Sequence, residues 1–179
     1  LHPRFVASHP MTGTEKFGVN AGQHNLFKDK PWVVTPDKET DQLGLETIHQ
    51  ISLLLGCKWI TTEAKIHDEA VGLISHLPVF ISAALLKSID ISNDKSILSL
   101  AKDLVSSGFA DTSRIGGGNP QLGVAMAKFN KSNMLQSLRS YKESLDLFEQ
   151  RLLAENWEDI EITLLRTKQI RESLIKKPI

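Results

Sequence analysis

Residues 31–61 read PWVVTPDKETDQLGLETIHQISLLLGCKWIT, and three patterns follow one another along this stretch. Pro31–Thr35 and Lys58–Thr61 carry the β-branched and aromatic residues that predict short strands. Between them, apolar residues recur close to a helical period and predict a helix over Lys38–Leu55, with Gly56 as its C-terminal stop. Strand, helix and strand in this order are typical of an α/β layer.

The residues before this layer add one more short strand. Arg4–Ala7 has the pattern of a strand that ends at Ser8-His9-Pro10. Three short strands make a poor unit by themselves, so the layer is predicted to be the back end of a larger α/β domain. The chain also opens on Leu1 without a methionine, as expected of a piece of a longer protein.

Downstream of this layer the patterns change, and only helices are predicted. A long helix over Lys65–Leu86 is expected to bend at Pro78, which cannot donate to the helical ladder. Phe109–Pro120 is rich in glycine and predicts a connection. The other predicted helices are Lys95–Ser107, Gln121–Phe129, Ser132–Glu155 and Glu158–Lys176. The sequence therefore predicts an α/β piece over residues 1–62 and an all-helical piece over residues 63–179.

Composition narrows the classes of partner. The chain has 179 residues, 41% of them hydrophobic, with 21 basic and 21 acidic side chains, so no strong field attracts nucleic acid or an anionic membrane. The single cysteine, Cys57, excludes a disulfide framework and is predicted to be an inert core thiol. The longest apolar stretch, Ala70–Leu86, is broken by His76 and Pro78. It falls short of the roughly 20 residues that span a bilayer, which predicts a soluble protein.

His9 is the first candidate for chemistry, because it stands where the predicted Arg4–Ala7 strand ends. In open α/β sheets, ligands bind outside the carboxyl ends of the strands. An imidazole can accept a proton near neutral pH, which suits a general base. A histidine that satisfies backbone groups in the turn explains the same position equally well.

His67-Asp68 and Ser75-His76 form a second group of candidates. The nine-residue gap between the two histidines does not match the i, i+4 pairing of a helical metal site. With His49 and Asp111, the doublet could instead belong to an HD-type metal phosphohydrolase, which requires several helices to converge. Local hydrogen bonding at a helix start is the favoured explanation of the doublet.

The third candidate is the glycine run Gly116–Gly118 with the residues before it. The run matches neither the dinucleotide fingerprint nor the P-loop, and a tight helix-to-helix turn explains it better. Arg114, just before it, could bind a carboxylate bidentately, or it could pair with Asp111 at the surface.

Four segments, in the family's order, resemble the TyrA family of prephenate and arogenate dehydrogenases. The matching segments are His9–Gly18 (HPMTGTEKFG), Pro31–Pro36 (PWVVTP), His67-Asp68 with Ser75–Pro78 (SHLP), and Asp111–Ile115 (DTSRI) with Asn119-Pro120. Each segment is short, but four in register are specific.

The resemblance implies a Rossmann-type domain for a nicotinamide cofactor, followed by an all-α domain that forms a homodimer. Residues 1–62 would hold the C-terminal strands of the Rossmann-type sheet, and residues 63–179 would form the helical substrate-binding and dimerisation domain. The family's glycine-rich fingerprint would lie before Leu1. A cytoplasmic enzyme that needs no metal, nucleic acid or membrane is implied. Because it lacks the fingerprint, the chain is predicted not to bind the cofactor alone. The alternative to a dehydrogenase is a non-catalytic dimerisation fragment of such an enzyme.

The resemblance also implies roles for individual residues. His9 would be the hydrogen-bond acceptor and base for the substrate hydroxyl. Arg114 would hold a substrate carboxylate, oriented by Asp111. The remaining pocket residues by resemblance are Ser75, His76, Thr14 and Glu15 around the substrate, and Ser8, Pro10 and Met11 beside the cofactor.

One departure from the family pattern bears on the substrate. Many prephenate-type members have a second histidine just after Ser-His-Leu-Pro, where this chain has Val79. Because arogenate carries an ammonium group, it gains little from a cationic neighbour, and Val79 therefore favours arogenate over prephenate. NADP is expected from the arogenate branch, with NAD as the alternative. The residue that selects between the two cofactors follows the second Rossmann strand, which this chain does not contain.

Overall fold

A computed structural model describes residues 4–13, 18, 22–90 and 94–175. The chain forms two compact units, Leu1–Met134 and Leu135–Ile179. The first unit contains the small sheet and the helices up to the start of the longest one, and the second contains the helical C-terminal part. The predicted domain division near residue 62 falls inside the first unit and remains a prediction.

The sheet of the first unit has three strands in the order β1 (Ser8–Pro10), β2 (Pro31–Val34) and β3 (Lys58–Thr61). β1 pairs antiparallel with β2, and β2 pairs parallel with β3. The central strand is buried at Trp32, Val33 and Val34. The strand, helix and strand that the sequence predicts over residues 31–61 are confirmed, and the fold class is the predicted α/β remnant followed by helices.

The first strand lies further along the chain than the pattern of Arg4–Ala7 predicts, and that boundary is wrong. Backbone hydrogen bonds to β2 begin where Thr35 N–H donates to Ala7 O and end where Met11 N–H donates to Pro31 O. Pairing with the buried strand, rather than local propensity, therefore defines β1. As a result His9 lies in the middle of the strand, opposite Val33.

Helix α1 (Gln42–Leu54) connects the two parallel strands. It begins four residues later than predicted, because two aspartates capture the backbone before it. Asp37 accepts from Glu39 N–H, and Asp41 caps the helix by accepting from Gly44 N–H at 2.6 Å. The helix ends as predicted, with Gly56 in the left-handed region at φ +71°.

The long helical segment of the first unit consists of α2 (Ala64–Val71), a π-helical turn (Gly72–His76) and α3 (Leu77–Asp90). The wide turn directly before Pro78 accommodates the residue that cannot donate, which is the expected place for an irregularity. The helix Ala64–Asp90 extends beyond the predicted apolar stretch Ala70–Leu86 at both ends. Its 27 continuous residues are long and apolar enough to cross a membrane by length and composition, and 22% of its most apolar window is buried.

The remaining helices are α4 (Lys95–Leu104), α5 (Ser107–Ser113), α6 (Pro120–Phe129), α7 (Lys131–Leu153) and α8 (Trp157–Leu174). The last three agree with the predicted helices to within one or two residues at each end. Asp94 and Asn119 cap α4 and α6 through their side chains.

The glycine-rich connection predicted from Phe109 is helical as far as Ser113, and a single 3-10 turn (Ile115–Gly117) follows. Gly116 lies against α3, where an added Cβ would be 2.4 Å from Ala83 N. Its N–H donates to Ser82 Oγ at 2.8 Å. The glycines therefore allow two helical segments to approach closely, as in the helix-to-helix turn that the sequence favoured.

Candidate active site

His9 and His67 meet between the sheet and the first helix of the helical body. His9 is on β1 and His67 is in the first turn of α2. Nδ1 of His9 lies 3.0 Å from Nε2 of His67, and the rings are arranged edge to face with centroids 5.2 Å apart. The contact joins residues 58 positions apart in the sequence.

Asp68 determines which nitrogen of each ring carries the proton. Nδ1 of His67 lies 2.9 Å from Oδ1 of Asp68. An ionised carboxylate only accepts, so Nδ1 of His67 donates, and in the neutral form of that ring Nε2 then accepts. Nδ1 of His9 is therefore the donor in the contact between the rings. This leaves Nε2 of neutral His9 as an unprotonated acceptor, and it has no hydrogen-bond partner among the described residues.

A second set of polar contacts is centred on Asn130, between α6 and α7. Its Nδ2 lies 2.7 Å from the backbone oxygen of Asp68 and 3.3 Å from Nδ1 of His76. Its Oδ1 accepts from Asn133 Nδ2 at 2.8 Å. Asn130 is buried, and it joins the end of α6 to the helix that carries both His67 and His76.

Two cavities share the His9, His67 and Asp68 side chains as lining. One, of about 320 Å³, is bounded on the helical side by Ser75, His76 and Asn130. The other, of about 230 Å³, is bounded by residues of the sheet, including Ser8 and Val33. The histidine pair thus borders one cavity facing the helices and one facing the sheet.

The electrostatics of the site favour neutral imidazoles. Burial lowers the pKa of His9, the neighbouring rings of His67 and His76 lower it further, and the Asp68 carboxylate opposes them. Burial also lowers the pKa of His76, where Asp68 opposes the effect and His67 adds to it. A neutral His9 with a free Nε2 can accept a proton, which is the chemistry that a general base requires.

Several sequence-predicted site residues come together around these cavities. Ser75 and His76 line the same cavity as His9, and Ser8 lines the cavity on the sheet side. Pro10 closes β1, and Met11 follows it. Their roles toward substrate and cofactor remain predictions.

Other predicted site residues are not brought into this cluster. Asp111 and Arg114 are exposed on and after α5, and no hydrogen bond or ion pair joins them within the described part of the chain. Thr14 and Glu15 lie outside the described residues. The assignments of all four remain predictions.

The sequence made His67 a candidate but favoured a local hydrogen bond to Asp68 as its role, and it did not single out Asn130. The predicted local bond of His67 to Asp68 is present, but the ring makes a second contact, to His9. The HD-type metal alternative also requires His49, whose ring instead packs on Trp59 with centroids 4.7 Å apart. Among the described residues, no three His, Cys, Asp or Glu side chains are grouped to hold a metal ion.

Comparisons with known proteins find two family models that match the chain. Residues 1–61 match the family model described as prephenate dehydrogenase, nucleotide-binding domain, and residues 63–166 match prephenate dehydrogenase, dimerization domain. The fold and the site place the chain in a class of proteins in which an α/β layer of nucleotide-binding type is followed by a helical region. The chain belongs to the prephenate dehydrogenase family.

Individual relatives support the same assignment. A prephenate dehydrogenase of Lactococcus lactis is 27% identical over 96% of this chain and 46% of its own length. The crystal structure of Synechocystis arogenate dehydrogenase is 38% identical with a TM-score of 0.84, covering 97% of this chain and 63% of that one. That of Aquifex aeolicus prephenate dehydrogenase with hydroxyphenyl propionate and NAD+ is 28% identical with a TM-score of 0.88, covering 97% and 60%. The chain spans about half the length of the curated relatives that it matches.

Proposed function

We propose that this chain is the substrate-binding and dimerising part of an arogenate dehydrogenase. The reaction is the oxidative decarboxylation of L-arogenate to L-tyrosine, with hydride transfer to NADP+. The observation that carries the proposal is the Asp68–His67–His9 chain, which leaves Nε2 of His9 unprotonated in a residue that lines a 320 Å³ cavity. The test is whether the full-length protein reduces NADP+ when arogenate is supplied.

The chemistry requires one proton acceptor and no metal. The substrate is a cyclohexadienol, whose hydroxyl-bearing carbon gives up a hydride while the ring carboxylate leaves as CO2. His9 Nε2 accepts the hydroxyl proton as the hydride leaves. After CO2 is lost, the ring oxygen is a phenolate, which takes this proton back and becomes the phenol of the product. The imidazolium formed on His9 is stabilised through His67 by the Asp68 carboxylate. Aromatisation of the ring provides the driving force.

The cofactor is assigned to the sheet side of His9. When bound, a nicotinamide supplies the hydride acceptor of the reaction. The 230 Å³ cavity beside Ser8 has room for a group of ring size next to His9. Pro10 is the last residue of the same strand, and Met11 follows it. These residues would contact the nicotinamide, while the glycine fingerprint that holds a pyrophosphate does not occur in residues 1–179. NAD+ is the alternative cofactor, supported by the Aquifex structure that contains it.

Prephenate is the second candidate substrate, with 4-hydroxyphenylpyruvate as its product. It is favoured by the Lactococcus lactis and Bacillus subtilis relatives, which are prephenate dehydrogenases. Val79, half-buried in α3, favours arogenate because valine, unlike a histidine, has no positive charge that would repel the substrate ammonium. The Synechocystis arogenate dehydrogenase is also more identical to this chain than those two relatives are.

We further propose that residues 1–62 and 63–179 act as the nucleotide-binding and helical parts of a cytoplasmic homodimer. The description of the matching helical family model supports dimerisation. The exposed apolar side chains of the 64–90 segment lie within that match. We therefore assign them to contact between protein surfaces, and no membrane is required.

Replacing Arg114 with alanine is expected to raise KM about tenfold or more and to change kcat little. A guanidinium that binds a substrate carboxylate through two charge-assisted hydrogen bonds strengthens binding, and the loss of both bonds weakens it about tenfold. Steady-state kinetics of the full-length protein measures both constants. Arg139→Ala, another exposed arginine, is the control. An unchanged KM for Arg114→Ala would argue against its role.

As pH decreases, kcat/KM should fall with an apparent pKa below the ordinary pKa of histidine. His9 works as a base only when neutral, and burial with the flanking imidazoles lowers its pKa. Activity therefore rises as pH increases through that lowered pKa and is already on its plateau at neutral pH. A profile between about pH 5 and 8 measures this apparent pKa. An apparent pKa above the ordinary pKa of histidine would contradict the assignment of His9.

A further inference from the structure

Asn130 has a fixed amide orientation. The backbone oxygen of Asp68, which can only accept, lies 2.7 Å from Asn130 Nδ2, so the NH2 group must occupy that position. The opposite assignment would place two oxygens together. Oδ1 then faces Asn133, whose Nδ2 donates to it at 2.8 Å. Every polar atom of the Asn130 side chain is therefore accounted for once its second N–H is placed.

The second N–H of Asn130 determines the protonation of His76. The same Nδ2 lies 3.3 Å from Nδ1 of His76, so this ring nitrogen must accept. The proton of a neutral His76 is then carried by Nε2. Protonation of Nδ1 would bring two N–H groups face to face, which disfavours the imidazolium. Because Asn130 is buried and His76 is half-buried, this conflict is stronger than it would be in water.

We propose that Asn130 is a positioning residue that holds His76 as the neutral Nε2–H tautomer, so that His76 offers the substrate a hydrogen-bond donor without a positive charge. The proposal rests on the proposed function and specifies the kind of substrate group that this site accepts. A neutral donor can bind a carboxylate and does not repel the ammonium of an amino acid. An imidazolium in the same place would favour a keto acid over its amino acid counterpart.

The charged and titratable groups around His76 are consistent with this role. Asp68 and His67 face it from α2, and His9 faces it from β1. Burial lowers the pKa of His76, Asp68 opposes this effect, and His67 adds to it. A fixed N–H donor at Nδ1 acts in the same direction as burial and His67, against the imidazolium that the adjacent carboxylate favours.

The substitution Asn130→Asp tests the tautomer, although it also removes the hydrogen bond to the Asp68 backbone oxygen. Aspartate has nearly the shape of asparagine and is an equally good residue at the start of a helix, here α7. It presents acceptors to His76 Nδ1 in place of a donor. In the full-length protein, NMR of the His76 ring nitrogens should show Nε2–H in the wild type and a proton on Nδ1 in the variant. The pKa of His76 should rise in Asn130→Asp.

Asn119→Asp is the matched control, since Asn119 is an exposed cap of α6 whose side chain accepts from Gln121 N–H. It should leave the His76 tautomer and pKa unchanged. A wild-type His76 with its proton on Nδ1 would overturn the proposal, whatever the variants do. So would an Asn130→Asp protein in which the tautomer and pKa of His76 stay as in the wild type.

Kinetics then tests the link to the substrate. Asn130→Asp should raise KM for arogenate about tenfold and change kcat less than about threefold, while KM for prephenate rises less or falls. Equal effects on the two substrates would overturn the link. The NMR measurement needs no substrate, so the two failures are distinguishable. If the wild type turns over neither compound, the proposed function fails, whereas the His76 tautomer is decided by NMR alone.

Discussion

Replacing His9 with asparagine is expected to lower kcat about a thousandfold and to change KM less than about threefold. Asparagine fills a similar volume and can still donate to His67 Nε2, but it cannot accept a proton at neutral pH. The loss therefore falls on the proton transfer and not on the binding of the substrate. Steady-state kinetics of the full-length protein with arogenate measures both constants.

The control for this variant is His24→Asn, which makes the same substitution at an exposed histidine whose ring contacts only Asn25 among the described residues. It should behave as the wild type does. Near-normal turnover by the His9→Asn protein would remove His9 from the mechanism. A large rise in KM with unchanged kcat would make it a binding residue instead.

The second large effect is expected at His67. Changing it to leucine removes the acceptor of His9 Nδ1–H, so His9 no longer has a preferred tautomer or a fixed ring orientation. One lost hydrogen bond that positions a base corresponds to a decrease in kcat of about tenfold to a hundredfold. The measurement is kcat with saturating arogenate.

Glutamine at the same position separates the hydrogen bond from packing. The Oε1 of His67→Gln can accept from His9 Nδ1–H, so this variant should recover most of the activity that His67→Leu loses. Equal losses in the two variants would show that His67 acts only by filling space. Wild-type activity in His67→Leu would show that the hydrogen-bonded chain Asp68–His67–His9 does not contribute to catalysis.

The local parts of the fold could be predicted from the sequence. β2, β3 and α1 are fixed by short-range patterns: a β-branched run, a helical period and a glycine that takes a positive φ. β1 was misplaced because its bounds depend on pairing with β2, and the Arg4–Ala7 pattern has no information about that partner. The start of α1 was misplaced because the side chains of Asp37 and Asp41 bind backbone N–H groups before the helix can begin.

The glycine-rich segment shows the same limit. Its composition predicted an irregular connection, but α5 is helical through Ser113, and the close approach occurs only at Gly116. That contact depends on Ser82, which is 34 residues away and accepts from Gly116 N–H. Composition indicates that a close approach is possible, but it does not name the partner.

The site could be predicted in part. His9 was identified because it follows the predicted Arg4–Ala7 strand, although it lies within β1. Ser75 and His76 were identified from the resemblance to a family. His67 was interpreted as a local cap partner because its bond to the adjacent Asp68 is visible in the sequence, whereas its bond to His9 is not. Asn130 gave no signal beyond that of a residue between two helices, because its contacts reach Asp68, 62 residues away.

The most direct test of the proposed function is the initial rate of nicotinamide reduction by the full-length protein, with arogenate and prephenate supplied separately at equal concentrations. We expect turnover with arogenate, a higher kcat/KM for arogenate than for prephenate, and loss of that turnover in His9→Asn. A higher kcat/KM for prephenate would contradict the substrate assignment. Absence of reduced nicotinamide with either compound, under NAD+ and NADP+ alike, would contradict the dehydrogenase function itself.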